Sequence, residues 1–325
     1  MLTPSNQNLN ADRTHLRPVN TVRDMPAVLD LIEIGFQNEL DPQGWKLLKQ
    51  MRAMTRQPGI LRVQHSLRTD SAGFVWVEDD TVVANLSLRV ATPSITQGRL
   101  IGNVVVHPDY RGKGIGHALV DTAISTARKE GARWIGLEVR QGNPAACKLY
   151  HGFGFYQVGT MIHLLRLANL PWPEHKKSQL SWRKSKPQDK QYWVNIANSC
   201  YGHVQKRILE IRDIQFTYGG WQRHLNLWLS GQRESAWLHN EPSPRYAVCV
   251  KSELRYKFQV WDLLMSDEAQ PGWAQGMVMK AFSVARHTPP WPVIAMVANQ
   301  PALIDALVNS GFHLHRTLLQ MVLEL

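Results

Sequence analysis

The stretch HPDYRGKGIG, residues 107–116, follows the apolar run RLIGNVVV (99–106) and leads into the helical pattern IGHALVDTAISTARKEG. Gly112, Gly114 and Gly116 alternate with other residues there, and Arg111 and Lys113 stand among them. A strand that passes through a glycine-rich turn straight into a helix presents the helix's first amides, which lack internal partners. Those amides and the helix dipole favour an anion, and glycine lets the backbone close on it. The chemistry suggested is the holding of a phosphate or pyrophosphate. A tight turn that needs glycine for its geometry would explain the glycines alone. A P-loop needs a hydroxyl residue that this loop does not have in place. The dinucleotide fingerprint fails where His117 takes the position of its last glycine.

The surrounding sequence supplies elements that position the loop. LRPV (16–19) reads as an edge strand, and Val22, Met25, Leu29, Ile32 and Phe36 form one helical face. A second helix is expected from Trp45 to Arg56, stopping before Pro58. GFVWVEDDTVVANLSLRV (73–90) reads as a hairpin turning at Glu78–Asp80, and 99–106 as a further strand. After the loop, Ile115, Leu119, Ile124 and Ala127 share a helical face that ends at Gly131. ARWIGLEV (132–139) is a strand, Asn143 a helix N-cap with Pro144 in the first turn, and 155–167 another strand.

Arg111-x-x-Gly114-x-Gly116 after VVVHPDY resembles the pyrophosphate-binding loop of the GNAT superfamily of N-acetyltransferases. LEVRQGNPAACKLYHGFGF (137–155) resembles that family's next strand and helix, and its E-V-R-x-x-N-x-x-A-x-x-L-Y stretch is most similar to bacterial ribosomal-protein N-terminal acetyltransferases. The resemblance is clear over about residues 100–156. It implies acetyl-CoA as acyl donor. Val104, Val105 and Val106 would offer backbone to the pantetheine arm. The amides of Gly112, Lys113, Gly114, Ile115, Gly116 and His117 would hold the pyrophosphate beside Arg111, and Asn143 would touch the donor from the next loop. Attack of an amine on a thioester needs a proton acceptor and a donor to the departing thiolate. The resemblance places Glu138 as general base and Tyr150, twelve residues on, as general acid. Pairing of Glu138 with Arg133 or Arg140 is the plain structural alternative. His107 and His151 read as structural, and no paired Cys/His spacing calls for a metal.

The length favours two domains. We expect a flexible N-terminus (1–14), a catalytic GNAT-like domain (15–168), a linker (169–182) and a degenerate GNAT-like domain (183–325). Each domain is expected to be α/β, with a mixed, mostly antiparallel sheet flanked by helices. The second domain is inferred from an echo. NPAACKLYHGFGF (143–155) returns as NQPALIDALVNSGF (299–312), at offsets of 156 and 157. At an offset of 156 Glu138 falls on Ile294, and Tyr150 on Ala306, or on Leu307 counted back from Gly311–Phe312. The loop region 269–279 has Gly272 and Gly276 but no Arg-x-x-Gly-x-Gly.

Composition limits the alternatives. The chain is 44% hydrophobic and 19% charged, with no apolar run long enough to span a membrane and no secretory signal pattern. Cys147, Cys200 and Cys249 are scattered and odd in number, which fits a reducing cytoplasm. The net charge of +11 is shared, +5 over residues 1–170 and +6 over 171–325. The basic run 175–190 reads as a solvated linker, with an anion-facing patch for nucleic acid, ribosome or an acidic substrate as the sharper alternative, and no recognised nucleic-acid motif accompanies it. The function expected is acetyl transfer from acetyl-CoA to a primary amine by direct attack in a ternary complex. The acceptor is a peptide N-terminus or a small molecule, an amino sugar or thiol precursor. A CoA-binding regulatory protein without turnover is the alternative from another class.

Overall fold

A computed structural model describes residues 15–37, 39–56, 73–92, 97–173, 180–298 and 300–325. The expected flexible N-terminus, Pro58, Asn299 and residues 175–179 of the basic run lie outside them. The first helix, α1 (Met25–Phe36), begins three residues later than its apolar spacing suggested. Residues 21–24 instead form a turn, because the Asn20 side chain accepts from the amides of Val22 and Arg23, and Asp24 accepts from that of Asn20. Helix α2 (Pro42–Thr55) begins earlier than expected, since Asp41 caps it through the Gly44 amide at 2.8 Å.

Strands β1 (Leu16–Pro18), β2 (Gly73–Glu78), β3 (Thr81–Val90) and β4 (Gly98–Val106) form an antiparallel run. The β2–β3 turn is made by Asp79 and Asp80, both at positive φ, as a tight hairpin requires. Then follow α3 (Ile115–Lys129), β5 (Trp134–Arg140), α4 (Pro144–Gly152) and β6 (Tyr156–Arg166). The second half repeats the series. It contains β7 (Trp182–Lys184), α5 (Lys190–Cys200), α6 (His203–Ile208), α7 (Trp221–Leu229), β8 (Gln232–His239), β9 (Tyr246–Glu253) and β10 (Phe258–Met265). It closes with α8 (Ala274–Ala285), β11 (Val293–Ala298), α9 (Pro301–Val308) and β12 (His313–Glu324).

These strands join into one twelve-stranded sheet, in the order β1-β2-β3-β4-β5-β12-β6-β11-β10-β9-β8-β7. Exchanging each strand of the first six for its counterpart six later reproduces the order in reverse. The two halves are thus related by a pseudo-twofold axis between β12 and β6. Each half gives its last strand to the other: β12 lies beside β5, and β6 beside β11. Two mixed, mostly antiparallel sheets flanked by helices are present, as expected, and they share a seam.

Alternation along β5 divides its two faces. Ile135, Leu137 and Val139 join the buried cluster under α3 and α4 with Leu119, Ala123 and Phe155. Trp134 faces the other way, into a cluster with Leu100, Val322 and Ile208 of α6. A helix of the second half therefore covers sheet belonging to the first. In the reciprocal direction, Lys46 of α2 reaches Glu253 of β9 at 2.5 Å.

Candidate active site

The site begins where two parallel strands part. β4 and β5 pair over four rungs, from Gly98–Trp134 to Ile101–Leu137, and no further. Past that rung β5 continues against β12, with Glu138 opposite Gln320 and Arg140 opposite Leu318. β4 stays with β3 after a bulge at Asn103, whose φ is +51°. The Asn85 side chain, almost fully buried, holds the bulge by donating to the Asn103 carbonyl at 3.0 Å. The result is a wedge-shaped split with β4 on one wall and Glu138 as the first residue on the other.

The backbone of Val104–Val106 lines the β4 wall. His107 N–H donates to Val83 O at 2.8 Å, so residues 105 and 107 turn their polar groups to β3 and residues 104 and 106 turn theirs into the split. Val105 buries its side chain, whereas Val104 and Val106 are half-buried against the cluster that contains Tyr150. Arg111 folds back, its Nε donating to Val106 O at 3.1 Å. The Val106 carbonyl is thereby engaged, and the amides of Val104 and Val106 are the backbone donors on that wall.

The split ends at the glycine loop. A 3₁₀ turn, Pro108–Tyr110, precedes Arg111, and Gly114 caps α3 without a side-chain hydrogen bond. Gly112 and Gly114 sit at φ +78° and +79°, where other residues are strained, and open space lies where their side chains would be. The amides of Gly112 through His117 donate to no carbonyl or side chain among the described residues. Lys113 lies over the Tyr110 ring, 4.7 Å from its centroid. Six free amides, two left-handed glycines and nearby cations fit a pyrophosphate. Asn143 is exposed at the start of α4, where its carbonyl oxygen caps the Ala146 amide at 3.1 Å. His107 and His151 serve local turns, bonding to the Asp109 amide and the Phe155 carbonyl.

Glu138 retains contact with solvent, but protein crowds it, and this crowding raises its pKa above the ordinary carboxylate range. Gln320 opposes the shift by donating to Oε1 at 2.7 Å, and the charges of Arg316 and Arg89 also oppose it. The alternative pairing with Arg140 is not formed, because Arg140 binds Glu39 at 2.8 Å. Tyr150 is 5% exposed, edge-on to Phe155, and its hydroxyl bonds to no described residue. Burial pushes its pKa up, so the phenol stays protonated. Sequence reasoning missed Asn85, Asn103, Gln320 and Arg316. Gln320 lies 182 residues from Glu138, and only the strand exchange brings them together.

The second half carries the same frame without these groups. Its parallel rungs end at Asp262–Met296, so the counterpart of Glu138 is Val297, not Ile294 as a uniform offset gives. Connections of unequal length shift the offset along the chain. Helix ends identify the counterpart of Tyr150. Phe155 N donates to Tyr150 O and Phe312 N to Leu307 O, each at 3.1 Å, around Gly154 and Gly311 at φ +90° and +87°. Leu307, fully buried, is therefore the match. The second split is filled: Cys200 and Gln300 both donate to the Met265 carbonyl at the end of β10, and Leu264 and Ala298 pack with Tyr201. The second loop is closed by Tyr246 of β9 together with its own Trp273. The Gln270 amide donates to Tyr246 Oη at 2.7 Å, and Trp273 stacks on that ring. A separate groove of about 350 Å³ lies on this half, lined by Arg166, Leu170, Pro171 and Met279, and holds no acid–base pair.

Among the described residues no group of three or more His, Cys, Asp or Glu is placed to hold a metal, and no helix is long and apolar enough to cross a membrane. Residues 40–155 match the acetyltransferase (GNAT) family. The [ribosomal protein bS18]-alanine N-acetyltransferase of Escherichia coli strain K12 is 43% identical over 71 residues, which is 21% of this chain and 48% of that protein. The chain thus spans about half the length of the curated relative it matches. Two solved structures resemble nearly the whole chain in fold. A GCN5-related N-acetyltransferase from Sphaerobacter thermophilus has a TM-score of 0.61 at 14% identity, covering 95% of this chain and 96% of that one. A tandem GNAT protein from the clavulanic acid biosynthesis pathway has a TM-score of 0.56 at 17% identity, covering 95% and 98%.

Proposed function

We propose that this chain, whose residues 40–155 match the acetyltransferase (GNAT) family, transfers acetyl from acetyl-CoA to a primary amine by direct attack in a ternary complex. One observation carries the reading: the split between β4 and β5 runs from Glu138 to six unpartnered amides at a helix start. The amides of 112–117 hold the pyrophosphate, with Arg111 and Lys113 adding charge and Asn143 lying alongside. The backbone groups of Val104 and the amide of Val106, which β4 turns into the split, line the path of the pantetheine arm. Glu138, its pKa raised by crowding, accepts the ammonium proton directly or through water. The neutral amine then attacks the thioester carbonyl, and the Val106 amide stabilises the oxyanion. As the carbon–sulfur bond breaks, Tyr150 gives its proton to the CoA thiolate. The proton that the amide nitrogen sheds passes through water to the Tyr150 phenolate, which restores the phenol, and Glu138 returns its own proton to solvent.

Two acceptor classes rest on different observations. The similarity to the bS18-alanine enzyme favours a peptide N-terminus. The wall that α6 adds on the Glu138 face favours a compact amine, an amino sugar or a thiol precursor. Thiol release from acetyl-CoA with a panel of both separates them, and no release with any amine would favour a CoA-binding regulator. Tyr150→Phe tests the acid role. Turnover should fall about a hundredfold with CoA affinity little changed. Unchanged turnover where chemistry limits the rate removes Tyr150 from the mechanism.

A further inference from the structure

The second half contributes side chains to the first half's site. Gln320 arrives on the exchanged strand β12 and is fully buried. An ionised carboxylate can only accept, so Gln320 must turn its NH₂ toward Glu138, at 2.7 Å. Its carbonyl oxygen then faces away and accepts from Gln205 Nε2 at 3.1 Å. Gln205 belongs to α6, is 6% exposed, and lies 3.4 Å from the Thr160 carbonyl. The chain of donors thus has one polarity, from a helix of the second half to the carboxylate of the first.

Space has been left for it. A Cβ at Gly159 would fall 2.3 Å from Gln205 Cδ, so a larger residue on β6 would move the Gln205 side chain from this position. The charged neighbours are engaged elsewhere. Arg89 on β3 binds Glu210 at 2.7 Å, and Arg316 on β12 binds Asp41 at 2.9 Å and lies 3.4 Å from His163 on β6. Arg140 binds Glu39, whose carbonyl also meets His315. Gln320 is the one direct hydrogen-bond partner of the Glu138 carboxylate among the described residues.

We propose that Gln320 and Gln205 are positioning residues that hold Glu138 as an oriented carboxylate, so that the half without acid and base completes the site of the half that has them. The proposal rests on the assignment of Glu138 as base. It explains why a second half stripped of its own chemistry keeps buried amides at this seam.

The test titrates the Glu138 carboxyl by carbon NMR in the full-length protein and follows the pH profile of kcat/KM. Losing a donor to the charged form raises a carboxyl pKa. Gln320→Leu should move both the Glu138 titration and the acid limb upward by about one pH unit, with KM for acetyl-CoA unchanged. Gly159→Ala displaces Gln205 while leaving residue 320 intact, and should shift both the same way by less. An unmoved titration in both variants overturns the proposal. A moved titration together with wild-type activity in Glu138→Gln upholds the positioning and removes Glu138 as base, so the two failures are distinguishable.

Discussion

The two halves share one frame and differ in what occupies the split between their parallel strands. In the first, four rungs lead to an open wedge bordered by Glu138, Val106 and six free amides. In the second, four rungs lead to Val297, and Cys200, Gln300 and Tyr201 fill the space. Helix caps, parallel pairing and exchange of the last strand are common to both. The frame is therefore maintained by packing and backbone pairing alone, and chemistry is a separate layer set upon it. The second half is joined to the first through a seam that neither half completes alone.

That shared seam is the first thing to break. His163 on β6 is buried against Arg316 and Asp41, and burial, followed by the Arg316 charge, lowers its pKa to about 4 from 6.5. Between those values the unfolded chain takes up a proton that the native histidine refuses. The stabilisation is present above pH 6.5 and is lost as pH falls toward 4, by about 3 kcal/mol. Urea unfolding across this range should show that loss as one transition in the wild type, and a flatter profile in His163→Gln. Two resolved transitions would mean that the halves are stable separately.

A smaller effect sharpens the contrast between the loops. Gly114 is left-handed and faces open space, so Gly114→Ala is penalised through backbone conformation, with no steric clash. KM for acetyl-CoA should rise about tenfold, near 1.4 kcal/mol. Gly272, also in open space but without a positive φ, should tolerate alanine with KM unchanged. Equal effects at the two glycines would remove the distinction drawn between the loops.

Much of this was legible in the sequence where the signal is local. The loop, the Asn143 cap, the hairpin turn at Glu78–Asp80 and the helix end at Gly131 depend on residues within a few positions of one another. The echo between 143–155 and 299–312 revealed the repetition. Long-range pairing was not legible. Nothing in the sequence around 313–324 says that this strand lies beside β5, so Gln320, Arg316 and the α6 contact were invisible, and a uniform offset misplaced the counterpart of Glu138. The bulge at Asn103 escaped for a related reason: Asn85, which stabilises it, lies on the neighbouring strand.

Amide hydrogen exchange with and without saturating CoA separates an open first loop from a closed second one. Binding at the first loop predicts slowed exchange across residues 104–117, above all at the amides of 112–117, and no change over 269–276. Protection at the second loop, or none at the first with CoA bound, would contradict the account.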